Sequence, residues 1–358
     1  MGESDFRSGV RNLLFNCAGA REGDRILTVG EAGQSTFFEP ELAVDFAREA
    51  NGLGFRASHV LAKPVASAAQ FPDEVAQLMA EADVTVFFSR LGDQVRFFPT
   101  PGHGTKVMTY TLTRSQLASS MGTTDFNATE RVLDRLLEVI AGASRYRICK
   151  SDGTDLVSDL QMSGESSDMV PFTLKLFPTM IFPPIQFRNL NGILMVDHFT
   201  LSSSTRAYDD SVLMMTSPVR LSIRDGLITE FDGESAMIEA LQTLCKRAAE
   251  ITGGEPFRLN SWHAGINPFT FFDGNPYDDL ERWGTVAYGS PRYTHIHAAG
   301  HDPGDVAFQL FDASIAFDDE WIWKDGRFVF LDRPNIREML DKMGQSHITS
   351  DILFDIGI

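Results

Sequence analysis

Between residues 8 and 143 the sequence switches repeatedly between short β-branched runs and stretches with helical spacing, and few folds accommodate that alternation. Arg25-Ile26-Leu27-Thr28-Val29 reads as a strand, and beyond Gly30-Glu31-Ala32-Gly33 the segment 39–50 sets Leu42, Phe46 and Ala47 on one helical face. The unit recurs in residues 57–62 followed by a helix over 74–81, again at 84–88, and in residues 106–110 followed by a helix over 128–141. Strands joined through helical crossovers run parallel, and such a sheet needs cover on both faces. The N-terminal part is therefore predicted to be an α/β domain with a parallel sheet.

Past Ala143 the texture changes to strand-like runs at 145–150, 193–196, 219–223 and 227–231, punctuated by Asp152-Gly153, Asp225-Gly226 and Asp232-Gly233. Asp-Gly between apolar runs signals a hairpin, because glycine takes a positive φ without a Cβ clash. With a helix over 235–251, this half reads as a mainly antiparallel α+β domain. At 358 residues the chain is too long for one core, so two domains are expected, 1–143 and 144–358. The aromatic, proline-punctuated run 177–187 reads as an edge strand or loop that lines a cleft or caps the core. Trp321-Ile322-Trp323 reads as a strand serving the core or an oligomer contact.

Lys and Arg number 31 against 49 Asp and Glu, and a net charge of -18 repels phosphate backbones and anionic lipid surfaces. Neither nucleic acid nor a membrane is expected as partner. Cys17, Cys149 and Cys245 are odd in number and widely spaced, which excludes a disulfide framework and a cysteine-built zinc site. A reducing, cytoplasmic setting is expected, since the N-terminus shows no signal-peptide pattern and the myristoylation pattern fails at Phe6. Gly30 and Gly33 lack dinucleotide-binding spacing, and Glu31 would oppose a phosphate, so this segment reads as a strand-to-helix turn. No G-x-S-x-G elbow supports triad chemistry.

Four of eight histidines, His263, His295, His297 and His301, fall within the 40 residues 262–301, and Asp302, Asp305 and Asp312 lie close behind in sequence. Neutral imidazoles and carboxylates are metal ligands. In Thr294-His295-Ile296-His297 the two rings project to the same side of a strand, so both can face one pocket. The alternative is that some of these rings are exposed or bonded to backbone in a loop containing Gly300, Pro303 and Gly304.

The order of elements resembles the family of aminopeptidase T metallopeptidases and 2,5-dihydroxypyridine 5,6-dioxygenases over nearly the whole chain. Ala20-Arg21-Glu22-Gly23-Asp24, Gly153-Thr154-Asp155-Leu156, Ser217-Pro218-Val219-Arg220-Leu221 and Ile322-Trp323-Lys324-Asp325-Gly326 sit in family order. The resemblance implies an aminopeptidase T-like fold and a homodimer paired through the C-terminal domain. It also sets Met180 where the peptidases carry a glutamate ligand, and methionine does not replace a carboxylate at a hard metal. His263 stands at a second peptidase glutamate and matches a dioxygenase histidine, while Leu310-Phe311-Asp312 stands for the dioxygenase His-x-Asp. One ligand is then missing unless His295, His297 or His301 substitutes.

Three readings follow, with Met180, Phe182, His263, His295, His297 and Asp312 as the expected ligand-contacting residues of an interdomain cleft. The first is a pseudo-enzyme without metal or other cofactor. It binds a peptide or small molecule and is similar to the peptide-binding proteins of crocagin-type modified-peptide biosynthesis. The second is an Fe2+-dependent ring-cleaving dioxygenase whose metal sits on His263 and Asp312 with His295 or His297. The third, a metallo-aminopeptidase, is disfavoured by Met180 and Leu310.

Overall fold

The computed structural model describes residues 3–33, 37–65, 68–161, 168–202, 210–300 and 305–358, and His301 and Asp302 lie outside these. The chain forms two compact units, Met1–Arg131 with Phe172–Met180, and Val132–Pro171 with Ile181–Ile358.

In the first unit, the described residues build a parallel sheet in the order Arg56–Ala62, Arg25–Glu31, Val84–Phe88, Thr105–Thr109, Lys175–Phe177. Val84–Phe88 is buried along its whole length, as a strand covered on both faces must be. The edge strand Arg56–Ala62 is mostly open. The helix Leu42–Gly52 buries Leu42, Phe46, Ala47 and Ala50, the face set by its spacing, and Phe46 meets Phe88 with ring centroids 5.0 Å apart. Lys175–Phe177, which ends at the first residue of the proline-punctuated run, shields Thr105–Thr109, and the first unit takes in Phe172–Met180 from beyond Ala143. Its Lys175 Nζ donates to the Cys17 carbonyl at 2.9 Å.

At the end of Arg25–Glu31, a Cβ on Gly30 would lie 3.0 Å from Leu61 and 3.1 Å from Ala43, so the bare glycine lets helix and sheet close up. Glu31 forms a buried ion pair with Arg90, their side chains 3% and 6% exposed. A cavity of about 390 Å³ adjoins this turn, and Glu31, Glu39 and Glu41 contribute to its wall.

The second unit holds two antiparallel sheets. One runs Leu213–Met214, Phe199–Ser202, Val306–Phe311, Tyr293–Ala298, Leu259–Ala264, Ile185–Gln186 among the described residues. The other runs Leu227–Gly233, Val219–Arg224, Asn191–Val196, Asp155–Asp159, Arg145–Cys149, Ser314–Phe317, Glu320–Trp323. Asp225 and Gly226 turn the hairpin between Val219–Arg224 and Leu227–Gly233 with φ of 50° and 74°, the left-handed pair that a tight hairpin demands. The helix Ser235–Thr252 stops at Gly253, whose φ is 78°. Trp262 anchors the apolar core of this unit, its ring 5.1 Å from Tyr146, 5.4 Å from Phe182 and 6.2 Å from Phe317. The architecture is thus α/β with a parallel N-terminal sheet followed by antiparallel sheets, as the alternation predicts. No helix among the described residues is long and apolar enough to cross a membrane.

All three cysteines are free thiols, Cys17 and Cys245 buried and Cys149 half-buried. Burial pushes the Cys17 thiol up, and the Cys245 thiol up to about 12. Only the thiolate reacts, so a maleimide at neutral pH is expected to label at most Cys149 in the native protein and all three residues in denaturant. Native labelling of Cys17 or Cys245, read by mass spectrometry, would contradict this packing.

Candidate metal centre

Two neighbouring strands supply the site. Leu259–Ala264 pairs with Tyr293–Ala298 in a register that sets His263 opposite His295 and Ser261 opposite His297. Residues directly opposite share a face of the sheet, as do residues two apart on one strand, so the three imidazoles emerge together. Trp262 and Ile296 take the other face, and each is 0% exposed. The apolar side of each strand thereby fixes the side on which the histidines stand.

The three rings are 2%, 2% and 4% exposed for His263, His295 and His297. One ring nitrogen from each lies within 4.8 Å of those of the other two. Ring centroids are 4.1 Å apart for His263 and His295, 5.1 Å for His263 and His297, and 4.9 Å for His295 and His297. Tyr288 stacks on His295 at 4.3 Å.

The partners of the outer nitrogens fix the protons. His263 Nδ1 lies 3.2 Å from the Phe182 carbonyl, and His297 Nδ1 lies 3.1 Å from Asp305 Oδ2. A carbonyl and a carboxylate only accept, so both Nδ1 atoms carry hydrogen and donate. In neutral rings both Nε2 atoms then present lone pairs, and these face each other at 3.1 Å. Two lone pairs at that distance repel unless a positive charge lies between them, either a shared proton or a metal cation. Two nitrogens each about 2.1 Å from one cation stand roughly 3.0 Å apart at a right angle and roughly 3.4 Å apart at a tetrahedral angle. The observed spacing falls in that range. Outer-shell acceptors on the remaining ring nitrogens are the usual means of orienting metal-binding imidazoles, and this site has two. Asp305 is 2% exposed, and its Oδ1 has no hydrogen-bond partner among the described residues. The donor set fits a divalent transition metal.

Of the residues singled out from sequence, His263, His295 and His297 converge and Phe182 supports them through its carbonyl. Met180 is buried in the first unit, 1% exposed. Asp312 does not join the histidines. It has a φ of 55° and accepts two hydrogen bonds from the Arg292 guanidinium, at 2.8 and 3.0 Å. The strand period explains why. Gln309, opposite His295, shares the histidine face, whereas Leu310 lies opposite Thr294 on the other face, and Asp312 is in phase with Leu310. Three residues beyond Gln309 is also roughly 10 Å along a strand. The carboxylate beside the triad is Asp305 instead. In the sequence it follows Pro303-Gly304, outside any periodic run, and only its nearness to His297 hints at it.

Comparison with solved structures gives the fold its place. The 2,5-dihydroxypyridine dioxygenase from Pseudomonas putida KT2440 superimposes with a TM-score of 0.60, covering 91% of this chain and 97% of that one at 12% identity. The two proteins share a fold. AmpT from Thermus thermophilus also aligns, with a TM-score of 0.49, 91% and 99% coverage and 12% identity, a likeness too loose to add weight. No protein-family model and no curated protein matches the chain. At this identity the likeness speaks for architecture, and the chemistry has to come from the side chains.

Proposed function

We propose that this protein holds one divalent transition-metal ion, iron(II) foremost, on His263, His295 and His297, and that it is an oxygen-dependent enzyme of the ring-cleaving dioxygenase type. The observation that carries the reading is the pair of Nε2 atoms facing each other at 3.1 Å with their Nδ1 atoms committed to acceptors. The shared fold with a dihydroxypyridine dioxygenase supports iron among the cations that suit imidazole. His263, His295 and His297 would hold the iron(II), which when bound would supply open coordination positions for oxygen and a small aromatic diol-like substrate. The chain's own part is orientation and exclusion of water. Asp305 holds the His297 tautomer and offsets charge, the Phe182 carbonyl holds His263, and Trp262 and Trp323 pack against the Phe182 ring. A cocatalytic aminopeptidase centre calls for carboxylate-rich ligation, which a set of three imidazoles does not provide.

Protein reconstituted anaerobically with ferrous iron and desalted is expected to retain about one iron per chain by elemental analysis. Protein that retains no metal would favour the second reading, a metal-free pseudo-enzyme binding a peptide or small molecule. The near-complete burial of all three rings is the observation on its side. The net charge of -18 would suit a basic peptide, and calorimetric titration with one in the presence of chelator reads that alternative directly.

A further inference from the structure

We propose that Gln309 is a fourth donor of this centre, its carboxamide oxygen facing the same cation as the three imidazoles. The inference rests on the metal reading above and extends it to a third strand.

Val306–Phe311 pairs with the free side of Tyr293–Ala298, and the register sets Gln309 directly opposite His295, which is itself opposite His263. His263, His295 and Gln309 therefore form one row across three strands on a single face. Opposed residues in such a row have Cβ atoms about 4.5–5.5 Å apart, within reach of a glutamine side chain. The residue opposite His297 is Ala307, a small side chain that offers no competing donor.

Gln309 is 3% exposed, and its Nε2 donates to the Ala307 carbonyl at 2.8 Å. That bond to an obligate acceptor settles which end of the carboxamide is nitrogen. The other end, Oε1, is buried with no hydrogen-bond partner among the described residues. Tyr293, two residues before His295 on the same face, interacts with the Gln309 side chain, yet its hydroxyl does not reach hydrogen-bonding geometry either. A buried acceptor left in this state is unfavourable unless something meets it. A metal ion at the imidazoles would meet it, because a carboxamide oxygen is a neutral oxygen donor for a divalent cation.

The test is titration of the full-length protein with cobalt(II) alone, followed by visible absorption, for the wild type, Gln309→Met and Gln309→Glu. The wild type is expected to saturate at one cobalt per chain. Gln309→Met, which keeps the side chain's length, should weaken cobalt binding about tenfold or more and change the absorption band. Gln309→Glu should bind at least as tightly as the wild type, with a different band, since a carboxylate oxygen replaces the carboxamide oxygen. A residue that only fills space would show the reverse order, with Met tolerated and a buried Glu harmful. Wild-type affinity and an unchanged spectrum in Gln309→Met would overturn the proposal while leaving the three-histidine centre standing. A wild type that takes up no cobalt would remove the centre itself and this proposal with it. Should Gln309→Met fail to fold by circular dichroism, the Gln309→Glu band decides, and one identical to the wild type excludes Gln309 from the donor set.

Discussion

His263→Ala is expected to abolish stable metal retention. This ring is the one whose Nε2 faces that of His297, and its centroid lies 4.1 Å from the His295 centroid. Without it, His297 Nε2 has no counterpart and two imidazoles remain. Losing an outer-shell partner alone typically costs 10–100-fold in metal affinity, so loss of a direct donor should cost about a hundredfold or more. Competition against a chelator of known affinity measures this. Thermal unfolding offers a second readout, because a ligand present at a hundred times its Kd stabilises the folded state by about 2.7 kcal/mol. Metal should therefore raise the midpoint of the wild type and leave that of His263→Ala unmoved. Equal metal content in the two proteins would remove His263 from the centre.

Asp305→Asn and Asp312→Asn are expected to part company. Asp305 accepts from His297 Nδ1 at 3.1 Å, and both side chains are buried, 3% and 5% exposed. Asparagine can still accept that hydrogen but carries no charge, so metal affinity should fall about 10–100-fold, the usual range for an outer-shell carboxylate. Asp312 instead pairs with Arg292 at 2.8 Å, in a position where its own side chain is 43% exposed. Partly exposed pairs contribute little, so Asp312→Asn should leave both metal affinity and folding close to wild type. The opposite pattern, with Asp312→Asn losing the metal and Asp305→Asn keeping it, would restore the ligand set that the family resemblance suggested.

Much of this site is legible in the residues themselves, and its limits have physical causes. The period of two places His295 and His297 on one side of a strand, and both rings do join the cluster. Cross-strand register is not local information, so nothing in the spacing of His263 reveals that it faces His295. The same holds for Gln309, an unremarkable residue between Phe308 and Leu310 until a neighbouring strand is laid beside it. Asp312 misleads because matching tripeptides along a chain ignores strand phase, and Leu310 turns to the apolar face. In the first unit the strand–helix alternation shows four of the sheet's strands plainly. The fifth, Lys175–Phe177, has three residues and precedes Pro178, too short for any periodicity to stand out.

That fifth strand also sets an order of events during synthesis. A chain emerging from the ribosome folds from its N-terminus, and domains generally close as they are completed. Here the parallel sheet stays one strand short until Phe177 is available, by which time Arg145–Cys149 and Asp155–Asp159 of the other unit have already emerged. In the interval Thr105–Thr109 is a bare border, with backbone donors and acceptors open to any other strand. A nascent chain halted before Phe177 would therefore present that border unpaired.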